Sequence, residues 1–167
     1  REDGVARSGE PAAGPSRASR GRVAINRSFL VNTYYPLYAH FFAALGYEIC
    51  LPERPDPRGV DQCGAPFCYP AELAHGFFKT LLESQNPPDY IFLPHFKAVH
   101  NEDGSGSPQS QVCPLAQGET FYLRATFGRQ IDRLCRNGTR LLTPLVDLSG
   151  GIVAAEEALV EAAQRMG

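Results

Sequence analysis

Short runs rich in β-forming residues alternate along this chain with longer stretches whose apolar residues recur at helical spacing, and no other feature limits its fold so strongly. The β-type runs are residues 23–26 (VAIN), 47–51 (YEICL), 89–93 (DYIFL) and a fourth within 140–146, interrupted or ended by Pro144. Helical patterns span 36–45, with Leu37, Phe41, Phe42 and Leu45 on one side, and 70–84, with Leu73, Phe77, Leu81 and Leu82 as the apolar face. Two more span 119–136, weakened at Gly128, and 152–166, which is rich in alanine. Gly46 is placed to end the first helix, and the Pro-rich PERPDPRG cannot extend the second strand. Alternation of this kind implies an α/β fold, a Rossmann-like three-layer sandwich with a mainly parallel sheet of about four strands.

The 167 residues, 43% of them hydrophobic, suffice for one domain with a real core and no disulfide scaffold. Residues 1–21 hold Pro, Gly, Ser, Ala and charge with little to bury, and read as a flexible linker ahead of a single α/β domain over 22–167. The chain starts at Arg1, and the expectation is a fragment of a larger protein. Five cysteines, an odd number spread over strand and helix segments with no secretory signal, read as reduced thiols of a cytoplasmic protein. A net charge of −2 argues against nucleic-acid binding through a broad basic face. No apolar run approaches the roughly 20 residues of a membrane span, so a soluble protein with no membrane partner is expected. The Gly- and Ser-rich 101–111 reads as a mobile or lid-like loop.

Ligands of such sheets gather beyond the carboxyl ends of the strands, and Cys68 and Cys113 both map there. Cys68 precedes Tyr69-Pro70 and Cys113 precedes Pro114, and proline favours the first turn of a helix, so each thiol is expected near a positive helix end, which favours the metal-binding thiolate. Cys50 and Cys135 read as packing residues. Cys63, five residues before Cys68, is open to three readings: ligand, redox partner of Cys68, or chance. His75 lies about two helical turns past Cys68, as a ligand or, the reading preferred, a packing histidine beside Gly76. His95 and His100 fall in neighbouring loops, and Glu72 reads as a complement to the helix dipole. Ser149-Gly150-Gly151 reads as a helix start with anion-binding capacity. The chain has no Walker A sequence, no G-x-G-x-x-G after its first strand and no G-x-S-x-G elbow, so no complete catalytic set is visible.

Taken together, YPLYAHFFAALGYEICLP (35–52), CYPAELAHG (68–76), DYIFLP (89–94) and Cys113-Pro114 resemble the CoA-substrate-specific enzyme activase family, in its uncharacterised domain, over residues 23–148. The resemblance implies a cytoplasmic protein of anaerobic bacterial or archaeal metabolism, joined to ATPase modules and serving low-potential electron transfer to a 2-hydroxyacyl-CoA dehydratase- or reductase-like partner. It further implies that Cys68 and Cys113 are ligands of a 4Fe-4S cluster whose remaining ligands lie elsewhere in the parent protein, with no independent catalysis by this domain. Such clusters take four thiolates, or three with one open iron site, and Cys63 is available as a third. The chain departs from the family pattern at Ala24 to Arg27 (Gly-Ile-Pro-Arg in the family), at Asn32-Thr33 (Tyr-Glu), at Glu72 (Lys) and at Phe77 (His). Two other readings stand beside this one: a metal-free docking module, and a thiol redox pair of Cys63 and Cys68.

Overall fold

The computed structural model describes residues 19–64, 68–101 and 110–167. Most of the expected linker and of the 101–111 loop therefore lies outside the described residues. Residues 19–21 are already tied to the domain: the Arg20 amide donates to the Gly46 carbonyl at 2.8 Å and Gly21 accepts from the Glu48 amide at 3.0 Å.

The main sheet has four parallel strands, β1 (Arg22–Ile25), β2 (Glu48–Cys50), β3 (Tyr90–Phe92) and β5 (Arg140–Leu142), in the order β2-β1-β3-β5. Side chains alternate across it as pleating requires. Val23, Ile25, Tyr90, Phe92 and Leu142 form one core cluster, while Ala24, Ile91 and Leu141 join the other. The first core packs under α1 (Val31–Ala44) and α6 (Glu156–Met166), and the second under α3 (Tyr69–Leu82) and α5 (Glu119–Arg136). The expected three-layer sandwich is thus present, one four-stranded sheet with helices on both faces.

Three local differences from the sequence reading have physical causes. Helix α1 begins at Val31, ahead of Pro36, which lies inside the helix. Pro36 and Asn32, whose carbonyl the missing amide would have bonded, are both exposed, so solvent can satisfy that carbonyl. On α3 the buried apolar face is Ala71, Ala74, Phe78, Leu81 and Leu82, so Leu73 and Phe77 are turned off the core. The Pro-rich loop holds a single helical turn, α2 (Pro57–Val60), started by Asp56, whose carboxylate accepts the Arg58 amide at 2.8 Å. Gly46, at φ +84°, follows α1 as expected of a helix terminator.

Helix α2 sits so close to α3 that two glycines face one another. A Cβ on Gly76 would lie 2.7 Å from both Pro55 Cβ and Val60 Cγ2, and one on Gly59 would lie 2.7 Å from the His75 carbonyl. Gly76→Ala is therefore expected to destabilise the fold by about 1–3 kcal/mol through overpacking, read from the urea midpoint. A midpoint unchanged from the parent protein would mean that the two elements are not in contact in solution.

The fourth β-run is interrupted rather than ended by Pro144. Beyond it β6 (Leu145–Asp147) pairs in parallel with β4 (His95–Ala98), which follows β3 across Leu93-Pro94. The pairing Phe92↔Leu142 of β3/β5 and His95↔Leu145 of β4/β6 keep one register, which sets Pro94 opposite Pro144. Leu93 donates to Leu142 at 2.9 Å and His95 to Pro144 at 2.8 Å, so the ladder crosses the prolines. Pro144 has no amide to give the Leu93 carbonyl; the buried Thr120 hydroxyl donates to it instead, at 3.1 Å.

Candidate functional site

Strand β1 has β2 on one side and β3 on the other, so the chain reverses direction across the sheet between β1 and β3. A crevice opens at such a reversal, beyond the carboxyl ends of the strands. Asn26 and Ser28, which leave β1 there, are both buried. Glu119, in the first turn of α5, fills the space beneath them: its carboxylate oxygen accepts from Asn26 Nδ2 at 2.9 Å and from the Ser28 hydroxyl. Asn26 Nδ2 also donates to the Ala74 carbonyl at 3.2 Å, which ties the crevice to α3. No basic side chain is bonded to Glu119 among the described residues, and burial pushes its pKa up to about 7, opposed only in part by the two donors.

One turn further along α5, Tyr122 stacks on His75 with ring centroids 5.0 Å apart and planes within 8°. Its hydroxyl is buried and has no hydrogen-bond partner among the described residues, as is also true of Asn26 Oδ1. Burial raises the Tyr122 pKa above the usual range, and charge on Glu119, Cys63, Cys68 and Cys113 raises it further. Coulombic influence fades with distance, so these three thiols, from two separate parts of the chain, lie in the wider neighbourhood of Tyr122.

Cys68 is half-buried and occupies the N-cap of α3, with Pro70 in the first turn, as its spacing implied. Cys113 is exposed and heads α4 (Pro114–Gln117), a single turn; the expected long helix begins only at Glu119. Cys63 is half-buried, three residues past α2. Among the described residues no three His, Cys, Asp or Glu side chains close around one metal-ion position. His75 is buried, with Nδ1 2.8 Å from the Ala71 carbonyl and therefore protonated there, and Nε2 3.5 Å from the Thr126 hydroxyl; burial lowers its pKa. That is the packing role preferred for it above, with the Tyr122 ring stacked on it. His95 packs 4.7 Å from the exposed Phe121 ring, and His100 Nδ1 lies 3.0 Å from the Ser149 carbonyl.

Packing was expected of the two remaining cysteines. Cys50 is half-buried against the α3/α5 core, but Cys135 is exposed, because the core face of α5 is set by Leu123, Phe127 and Ile131.

Cys113 also lines a mostly apolar cleft of about 470 Å³, together with Arg27, Phe29, Leu73 and Phe77. The two α3 residues that left the core therefore have a place in this wall. Arg27 is set over the Phe77 ring at 5.4 Å. Phe29, at φ +35°, is the single non-glycine residue at positive φ among the described residues, a strained conformation at the mouth of the crevice. Sequence reasoning missed Glu119, Asn26, Ser28 and Tyr122. The available signal was a charged residue opening an otherwise apolar helix face, which helix-dipole logic explains equally well.

No curated protein and no solved structure matches the chain. A family model does, over residues 22–167. With the motifs at Cys68 and Cys113 now placed at one edge of a parallel sheet, the chain belongs to the family described as the CoA enzyme activase uncharacterised domain (DUF2229).

Proposed function

We propose that this domain supplies thiolate ligands to an iron–sulfur cluster in a cytoplasmic CoA-enzyme activase-like protein. It would thereby serve low-potential electron transfer to a CoA-ester dehydratase or reductase. The observation that supports the reading is that Cys113 lines one cleft with Pro70, in the first turn of the helix that Cys68 caps, and that Cys63 lies five residues before Cys68. The donor chemistry fits: a single zinc or iron ion needs its ligands to converge on one point, which no three such side chains do among the described residues, whereas each iron of a 4Fe-4S cluster takes one thiolate of its own. When bound, the cluster supplies one-electron chemistry at low potential. The chain's own part is to fix Cys68 at a helix start and to set Cys113 on the wall of the cleft, while the Tyr122 hydroxyl, without a hydrogen-bond partner among the described residues, would be available as a donor. Residues Leu73, Phe77 and Phe29 keep the cleft apolar, which limits water beside the Cys113 thiol.

Iron and sulfide analysis of strictly anaerobic protein, after reconstitution with ferrous iron and sulfide, tests the reading. The expected result is a brown protein whose bound iron falls by more than half in Cys68→Ser and in Cys113→Ser. Iron content unchanged by both substitutions rules the assignment out. Absence of iron in the parent chain as well as in this domain would instead favour the metal-free docking module.

A further inference from the structure

Strand β5 closes one side of the main sheet, and β6 continues it past Pro144, so residues 140–147 form one long edge. Among the described residues no strand pairs with its outer side. The hydrogen bonds fix which backbone groups face out. The Arg140 amide donates to Asp89, while the Leu142 and Pro144 carbonyls accept from Leu93 and His95. In a parallel ladder the N–H and C=O of one residue point to the same side and alternate along the strand. Arg140, Leu142 and Pro144 therefore face inward, and Leu141, Thr143 and Leu145 present their amides and carbonyls to the open side.

Proline on an edge strand ordinarily blunts it by removing an outward donor. Pro144 has the opposite phase: its missing amide lies on the inner side, where Thr120 compensates, and the outer row of donors is intact. Grooves flank this edge on both faces. One, of about 590 Å³, lies between α5 and β5 and is lined by Arg124, Asp132, Cys135, Leu141, Thr143 and Arg165. The other, of about 90 Å³, lies toward α6 and also reaches Thr143 and Arg165, with Glu161. Leu145 is 59% exposed on the same edge.

Charge selects the occupant. Between residues 120 and 142 stand five arginines, Arg124, Arg129, Arg133, Arg136 and Arg140, against one acid, Asp132, in a chain whose net charge is −2. The Arg124 and Arg165 side chains in the larger groove make no hydrogen bond or ion pair among the described residues, although Asp132 and Glu161 share the walls. Unpaired guanidinium groups beside an open row of backbone donors match carboxylate side chains on an added strand.

We propose that this edge takes up an extended, acidic segment of a partner protein as a fifth strand, held by the outward amides and carbonyls of Leu141, Thr143 and Leu145 and by Arg124 and Arg165. The inference does not depend on the thiol site. The probe is a capped peptide of alternating Glu and Val, matched in length to residues 140–147, added to isotope-labelled protein and followed by NMR shifts and amide exchange. The Leu141, Thr143 and Leu145 amides are expected to shift and slow their exchange, while those of Arg140 and Leu142 keep the protection they already have. The Arg124→Glu, Arg165→Glu double variant, altered only at exposed positions, is expected to weaken binding at least about tenfold and to favour a second peptide of the same length with Lys in place of Glu. Equal binding of both peptides by the parent domain, or no change at the three amides with excess peptide, would overturn the proposal. So would shifts of the same amides with protein concentration alone, which would give the slot to a second copy of this chain.

Discussion

Glu119→Gln should flatten the dependence of stability on pH between about 4.5 and 7, and should leave the variant more stable than the parent at pH 8. The carboxyl is enclosed between Asn26, Ser28 and Tyr122 with no bonded cation among the described residues, and its folded pKa is pushed up to about 7 from the ordinary 4.5. Below about 4.5 both folded and unfolded chains hold the proton, and stability is at its full value. As pH rises from there, the unfolded chain ionises first, so stability falls until the folded chain also ionises near 7 and then stays level. The loss is on the order of 3 kcal/mol for the parent protein. Gln keeps an oxygen to accept from Asn26 and Ser28 and has no proton to lose. Urea unfolding at a series of pH values reads the difference directly. Identical profiles for the two proteins would mean that Glu119 is solvated or paired in solution. The other titrating groups near this crevice are Tyr122 and the thiols of Cys63, Cys68 and Cys113, so the comparison is made on reduced, metal-free protein.

Phe92→Ala should cost more than any exposed change, about 3–5 kcal/mol in the same measurement. Phe92 is the last residue of β3 and is fully buried beneath α1. Tyr38 and Phe42 both meet its ring edge-on, with centroids 5.1 Å away in each case. Truncation leaves a void between sheet and helix that the two remaining rings of Tyr38 and Phe42 cannot easily collapse into, and the aromatic contacts go with it. A loss below about 1 kcal/mol would mean that α1 does not pack on this face as described.

Much of this architecture was legible from periodicity. The four main strands, helix α5 to its exact ends, and the stop at Gly46 follow from short apolar runs, helical spacing and a glycine at positive φ. The weak point expected at Gly128 is a kink at Phe127, next to it. Less legible was anything decided by tertiary packing. Pro36 looked like a helix start because nothing local reveals that its neighbours are exposed. Leu73 and Phe77 looked like core because hydrophobicity alone cannot tell a core from a cleft wall. The β4/β6 ladder was hidden because a proline in a strand reads as an end, and only the partner strand's matching proline and the Thr120 hydroxyl make it an interruption. At the candidate site, the cysteines were conspicuous by type and the helix starts beside them by their prolines. Glu119 and Tyr122 were not, since their significance rests on burial without a charge partner, which appears only when three elements meet.

The contact between Gly59 and Gly76 bears on the thiols as well as on the helices. Arg54 and Asp56 are fastened to α3 through the Thr80 hydroxyl and the Gly76 carbonyl, so the chain carrying Cys63 leaves from the same helix that Cys68 starts. Bringing two groups together on a free chain costs closure entropy that grows with the logarithm of the separation. Here the fastening of residues 54 and 56 to α3 has already met part of that cost, so the segment that runs on to Cys63 is held to the helix that Cys68 caps. Adding one methyl group at Gly76 would loosen that hold without touching either sulfur.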